Sequence, residues 1–291
     1  MARTNLKEKK SQSNANLKVV DERAIKTTSY SDINLKQWKN YDYVKTDTLW
    51  EFPSRLKEGG HSNEYHGNYI PQIAQQIYER FTKKGDIVLD LFFGSGTSGI
   101  EAVNMGRRCI GVELKDDLAE SVSEKFTPKQ LITDVNIICA DSASELAKEK
   151  VKARLDIMGE KHAQLLMLHP PYDDIIKFSD KKEDLSNYAT TEEFYDLFEK
   201  VAKNGYDLLE KGRFACLIIG DKYANSQHIP LGFECMARMN KLGFITKAII
   251  IKDMQGNERA KGKAANLWRY RALAGGFYIF KHEYVMVFQK K

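Results

Sequence analysis

Ile87–Thr97 reads IVLDLFFGSGT, an apolar run that breaks into a glycine-rich turn. Ile87-Val88-Leu89 is β-branched and continuous in its hydrophobicity, as expected of a parallel strand buried on both faces. The run stops at Asp90, and Gly94-Ser95-Gly96-Thr97 cannot extend it. Glycine lacks a Cβ, so the chain can turn tightly there and a ligand can approach the backbone closely. Ser98–Met105 has helical character, Gly106-Arg107 closes it, and Arg108–Leu114 (RCIGVEL) reads as the next strand with Glu113 near its tip. Strand, glycine loop, helix and strand come in the order that builds a nucleotide site. An acid at the end of the second strand is where a pair of ribose hydroxyls is gripped.

Outward from this stretch the same alternation continues. Upstream, Gln72–Phe81 is an amphipathic helix with Ile73, Ile77 and Phe81 at helical spacing. Downstream, Asp116–Phe126 reads as helix, Val135–Ala140 as a strand leading to Asp141, and Leu146–Met158 as helix. Gln164–Leu168 is a fourth strand, Thr191–Leu209 a helix and Arg213–Ile219 a fifth strand. Phe244–Ile251 and Phe277–Phe288 can pair as an antiparallel ribbon. The pattern predicts an α/β fold, a doubly wound and mostly parallel seven-stranded sheet with an antiparallel C-terminal ribbon.

Composition sets the outer bounds. The 291 residues suffice for one large α/β domain or two small ones. A mean hydropathy of −0.49 without a long apolar run argues against a membrane span. The opening residues MARTNLKEKKSQSN lack an apolar core, so no secretory signal is expected. Cys109, Cys139, Cys216 and Cys235 form no C-x-x-C pair and are expected as reduced thiols in a cytoplasmic protein. No His/Cys spacing suggests a metal. A net charge of +5 permits a nucleic-acid partner without demanding one.

Three segments stand apart from the alternation. Residues 1–28 are expected to form a disordered basic tail, and residues 29–70 are an aromatic-rich extension whose rings are expected mainly to pack on the domain. Residues 173–190 are a polar insertion. Residues 252–271 hold six Lys/Arg against two acids with aromatics between them, and read as a long basic loop. Arg259, Lys261, Lys263, Arg269 and Arg271 beside Trp268 suit phosphate contact plus base stacking; a merely solvated loop has the same composition.

A second motif narrows the choice. His169-Pro170-Pro171-Tyr172 follows the fourth strand, beside the topological switch point. Paired prolines stiffen the turn and remove two N–H donors, leaving carbonyl acceptors next to an aromatic face.

DLFFGSGT resembles the D-x-F-x-G-x-G-T signature of S-adenosylmethionine-dependent DNA amino-methyltransferases, and HPPY resembles their [D/N/S]-P-P-[Y/F/W] motif. HGNYIP (66–71) and HEYVMVF (282–288) are similar to the family's cofactor-side segment and last strand. The resemblance covers roughly residues 60–291 and implies a single methyltransferase domain over 29–291. It implies methyl transfer to adenine N6 or cytosine N4 of double-stranded DNA, with the target base flipped. Asp90, Gly94, Gly96 and Thr97, with the backbone of Phe92 and Phe93, would frame the methionine moiety of S-adenosyl-L-methionine. Glu113, with Leu114 beside it, would take the ribose hydroxyls and Asp141 the adenine amino group, while Asn68 and Pro71 flank the cofactor. Tyr172 would stack on the base, and His169 and the Pro170 carbonyl would accept hydrogen bonds from its amino group, with Pro171 stiffening the turn. No metal is implied. A cognate restriction endonuclease or specificity partner is a candidate companion.

Two departures stand out. His169 occupies a position where the family has Asp, Asn or Ser, so the choice between adenine and cytosine stays open. No large target-recognition domain is evident, which leaves residues 173–190, 252–271 and the N-terminal extension, or a partner, to recognise the nucleic acid. An RNA base methyltransferase is the nearest alternative. A nicotinamide-dinucleotide oxidoreductase is a distant one, because Gly94, Gly96 and Gly99 also satisfy G-x-G-x-x-G.

Overall fold

The computed structural model describes residues 28–61, 67–126, 134–172, 179, 181–188, 190–224, 227–254 and 265–291. The strands are β1 (Leu49–Trp50), β2 (Ile87–Asp90), β3 (Arg108–Glu113), β4 (Val135–Cys139), β5 (Ala163–Leu168), β6 (Leu209–Ile219), β7 (Lys222–Ala224), β8 (Gln227–Ile229), β9 (Phe244–Asp253) and β10 (His282–Lys290). The helices are α1 (Pro71–Phe81), α2 (Thr97–Asn104), α3 (Asp116–Phe126), α4 (Glu145–Ile157), α5 (Thr191–Leu208), α6 (Leu231–Lys241) and α7 (Ala265–Gly275).

The main sheet runs β4-β3-β2-β5-β6-β10-β9-β1. Within it β10 lies antiparallel to both β6 and β9, and every other neighbouring pair is parallel. The chain builds β2, β3 and β4 in one direction, returns to the other side of β2 and builds β5 and β6. The switch point therefore opens between β2 and β5, above Asp90 and Leu168.

Alternate residues of each strand feed two separate cores. Ile87, Leu89, Leu166, Leu168, Ala215 and Leu217 face α4, α5 and α6. Val88, Leu165, Met167, Phe214, Cys216 and Val285 face α1, α2 and α3. Burial on both faces is why these strands read as unbroken apolar runs. Phe93 lies across β3, where a Cβ on Gly111 would come within 2.3 Å of its ring. The glycine in RCIGVEL thus makes room for the loop that follows β2.

Four details depart from the seven-strand expectation. An eighth strand, β1, pairs Leu49 with Ile251 and Trp50 with Lys252, and the buried Trp50 holds it against the otherwise open edge of β9. The last strand begins at His282 rather than Phe277, because Gly276 adopts a left-handed conformation (φ 67°) and turns the chain before the sheet. Helix α6 and the short β7–β8 hairpin fill the interval between β6 and β9. Part of the basic loop is helical, as α7.

Cys109, Cys216 and Cys235 are buried thiols outside any disulfide, Cys235 on α6, and Cys139 is half-buried. The aromatics of the extension divide. Trp50 and Tyr69 are core residues and Tyr30 packs edge-on against Phe214, whereas Trp38 and Tyr43 are exposed. The predicted tail falls almost wholly outside the described residues.

Candidate active site

A cleft of about 1180 Å³ opens at the switch point. Its walls include the loop Leu91–Gly94 with Thr97, the tip of β3 at Glu113 and Leu114, Asp141 after β4, the turn His169–Tyr172 and Asn68. Phe92, Phe93 and Thr97 therefore face the same cleft as Glu113, Asp141 and His169.

Asp90, Gly96 and Pro71 stand behind the wall. The buried Asp90 accepts a hydrogen bond from the Phe92 N–H (2.9 Å) and another from the Ser98 hydroxyl. Ser98 is also hydrogen-bonded to the Tyr69 hydroxyl at 2.5 Å, and its carbonyl accepts from Tyr78. Burial raises the Asp90 carboxyl to about 6. Gly96 caps α2 in a left-handed conformation (φ 88°), so the helix can begin directly after the turn. Pro71 opens α1, where its missing N–H is not needed.

Glu113 clamps the loop from the neighbouring strand. Its Oε2 accepts from the Gly94 N–H at 2.8 Å and its Oε1 from the Lys115 N–H at 2.9 Å. Burial raises its pKa, and those two N–H groups oppose the rise. Each carboxylate oxygen has a second lone pair, so the group retains acceptor capacity toward the cleft. Asp141 accepts from the Ala143 N–H at 2.9 Å, and burial raises its pKa as well. Asn204 of α5 holds this loop through the Ser142 and Ser144 carbonyls.

The HPPY turn is braced from β10 and β9. The Tyr172 hydroxyl donates to Glu283 Oε2 at 2.9 Å, and Glu283 Oε1 pairs with Lys252 Nζ at 2.9 Å. Glu283 and Lys252 are buried and directly opposed across the β9–β10 register. The Tyr172 ring packs against Gly220, where a Cβ would approach it to 3.0 Å. His169 is half-buried, with the Tyr69 ring edge-on at 5.2 Å. Desolvation pushes its pKa down to about 4; Glu283 opposes this and Lys252 adds to it. At neutral pH the ring is uncharged.

The same contacts indicate its tautomer. His169 Nε2 lies 3.4 Å from the Tyr172 oxygen, whose single proton is given to Glu283. Nε2 is then the donor in this long contact, and Nδ1 keeps the lone pair.

The described part of residues 173–190 packs beside the tip of β3 and the cleft. Among those described, Lys181 Nζ donates to the Leu114 carbonyl and to Asp116, both at 2.6 Å, and Asp184 and Leu185 line the cleft. In the basic segment Trp268 lines the cleft, the Arg271 guanidinium stacks over it at 5.2 Å, and Arg269 is exposed on α7. Arg259, Lys261 and Lys263 lie outside the described residues.

Sequence reasoning missed an aromatic rim formed by Tyr223, His228, Phe277 and Phe280, in which Tyr223 and Phe280 stack at 4.8 Å. Glu283 and Arg55 also escaped notice, and Lys252, counted with the basic loop, is instead a buried residue of β9. Among the described residues no group of His, Cys, Asp or Glu is arranged to hold a metal, and no helix is long and apolar enough to cross a membrane.

A family model described as DNA methylase matches residues 4–124 and 163–291. The probable type III restriction-modification enzyme HindVI Mod subunit of Haemophilus influenzae is 38% identical over 100 residues, covering 33% of this chain and 13% of that protein. Type II methyltransferase M.MjaII of Methanocaldococcus jannaschii is 27% identical over 138 residues, covering 44% of this chain and 26% of its own length. The chain thus matches about a quarter or less of either curated relative. Among solved structures, the [4+2]-cyclase SpnF superposes with a TM-score of 0.50 at 12% identity, over 78% of this chain and 85% of that one, a likeness of fold.

Proposed function

Because the chain belongs to the DNA methylase family, we propose that it transfers a methyl group from S-adenosylmethionine to the exocyclic amino group of adenine (N6) or cytosine (N4) in DNA. The observation that carries this reading is convergence. The glycine loop after β2 and the HPPY turn after β5 are far apart in the chain, yet both open onto one cleft. The cleft supports the cofactor on physical grounds, since it offers acceptors at Glu113 and Asp141 and a backbone stripped of Cβ atoms at the glycine loop.

When bound, S-adenosylmethionine supplies an electrophilic methyl group on a sulfonium centre. Glu113 would accept hydrogen bonds from the ribose hydroxyls and Asp141 from the adenine amino group, while Phe92, Gly94, Thr97 and Asn68 would flank the methionine end. His169 Nδ1 and the Pro170 carbonyl would accept the two amino protons of the target base. The amino lone pair is conjugated into the base, and two acceptors favour the pyramidal nitrogen whose lone pair can attack in line. With a pKa near 4, His169 orients the nitrogen as an acceptor rather than holding its proton at neutral pH. Reaching this depth requires the base to leave the duplex stack. Trp268, the aromatic rim and the arginines of α7 would meet the DNA around it. A restriction-modification setting fits the printed name of the Mod subunit; a cognate endonuclease or specificity partner and a cytoplasmic location are part of the same proposal.

The test is methyl transfer from labelled cofactor to DNA and to RNA, followed by nucleoside analysis. Label in N6-methyladenine or N4-methylcytosine of DNA is expected. Label confined to RNA, or tight binding of NAD in place of S-adenosylhomocysteine, would sink the proposal.

A further inference from the structure

Arg55 belongs to the N-terminal extension and lines the cleft. Its Nη1 donates to the Asn68 carbonyl at 3.1 Å and to the Tyr69 carbonyl at 3.0 Å. Its Nε and Nη2 are closed to solvent and have no hydrogen-bond partner among the described residues. Leaving a buried cationic donor unpaired is costly, and such orphans are rare in folded proteins. The segment that carries them is held in place. Gln72 on α1 grips both sides of Arg55, donating to the Ser54 carbonyl at 2.6 Å and accepting from the Leu56 N–H at 3.1 Å.

The two orphans are adjacent donors on one edge of the guanidinium, the fork that matches a carboxylate with two parallel hydrogen bonds. The location selects which carboxylate. Arg55 is fixed to the backbone of Asn68 and Tyr69. Tyr69 in turn reaches Ser98 behind the glycine loop on one side and the His169 ring on the other. If the ribose lies at Glu113 and the methyl group faces His169, the amino-acid end of the cofactor must lie along this wall.

We infer that Arg55 is the anchor for the α-carboxylate of the cofactor's methionine moiety, an inference that rests on the cofactor reading above. It gives the N-terminal extension a part in ligand binding. It also accounts for a cation in a wall where Glu113 and Asp141 are acids that would repel that carboxylate.

The experiment compares two ligands that differ only in the carboxylate, S-adenosylmethionine and its decarboxylated form. Affinities are measured by calorimetry for the parent, Arg55→Met and Arg55→Lys. The parent is expected to prefer the carboxylate-bearing ligand. Arg55→Met is expected to weaken that ligand about 10- to 100-fold and to leave the decarboxylated one within about 2-fold. Arg55→Lys keeps the charge but not the fork and should fall between them, which preserves the test if the methionine variant does not fold. Equal losses for both ligands would show that Arg55 only shapes the wall, and no loss would remove it from the site. A drop in DNA affinity with cofactor affinity intact would reassign it to the nucleic acid. A parent that binds neither ligand would overturn the cofactor reading itself, a result separable from every outcome that concerns Arg55 alone.

Discussion

The two ends of the parallel sheet treat most of their buried charge differently, although the carboxyl end keeps one internal pair, Lys252 with Glu283. At the amino end, Arg213 pairs with Asp86 and donates to the Gln164 carbonyl, and Arg107 donates to the Thr82 hydroxyl, the Thr82 carbonyl and the Met105 carbonyl. Arg108 likewise spends its guanidinium on Gly85, Met158 and Glu160. At the carboxyl end, burial raises the pKa of Asp90, Glu113 and Asp141, it lowers that of His169, and Arg55 keeps two donors without partners among the described residues. One end is saturated and serves stability. The other holds its polar groups under desolvation, where a ligand can satisfy them.

The largest expected effect tests the saturated end. Arg213→Met leaves the mostly buried Asp86 without its cation and should cost about 3–5 kcal/mol of stability in denaturant unfolding. Cofactor affinity of the folded variant should not change. A clear loss of affinity would erase the contrast between the two ends.

His169→Ala should slow single-turnover methylation about 10²- to 10³-fold while cofactor binding is preserved. The parent's activity should hold on acidification until about pH 4, where the ring gains a proton and loses its acceptor, rather than falling near the free-histidine value of about 6.5. His169→Asp should retain measurable activity, because a carboxylate also accepts. An alanine variant as fast as the parent would remove His169 from the mechanism.

Asp90 gives the smallest of the three effects. Its folded-state value of about 6 lies above its ordinary 3.8, so the folded protein holds the proton more tightly than the unfolded chain does. Stability should therefore fall as pH rises from about 4 to about 6, by at most about 3 kcal/mol. Asp90→Asn keeps an acceptor for the Phe92 N–H and removes the ionisation, so its melting temperature should vary less over that window. Parallel profiles for parent and variant would assign the titration to another group.

The central strands and both motifs were legible because each is local. Buried parallel strands announce themselves as apolar runs, and the glycine and proline turns need particular residues at particular places. What escaped reading depends on partners distant in the chain. Lys252 and Glu283 meet only through the β9–β10 register, and nothing in either neighbourhood signals the pair. Arg55 is one arginine among many until Gln72, Asn68 and Tyr69 surround it. Helix α7 buries none of its described residues, so its sequence shows no apolar stripe and reads as a loop. The two residues of β1 are too few for periodicity to register.

The placing of β10 has a consequence for how the molecule is assembled. It is the last strand in sequence order, yet it lies between β6 and β9 rather than at an edge. Until it inserts, two apolar strand edges stay unpaired and open to intermolecular pairing. Tyr172 meanwhile has no Glu283 to hold its hydroxyl. A partly folded molecule is thus prone to aggregate, and one insertion event closes the sheet and fixes the Tyr172 hydroxyl together.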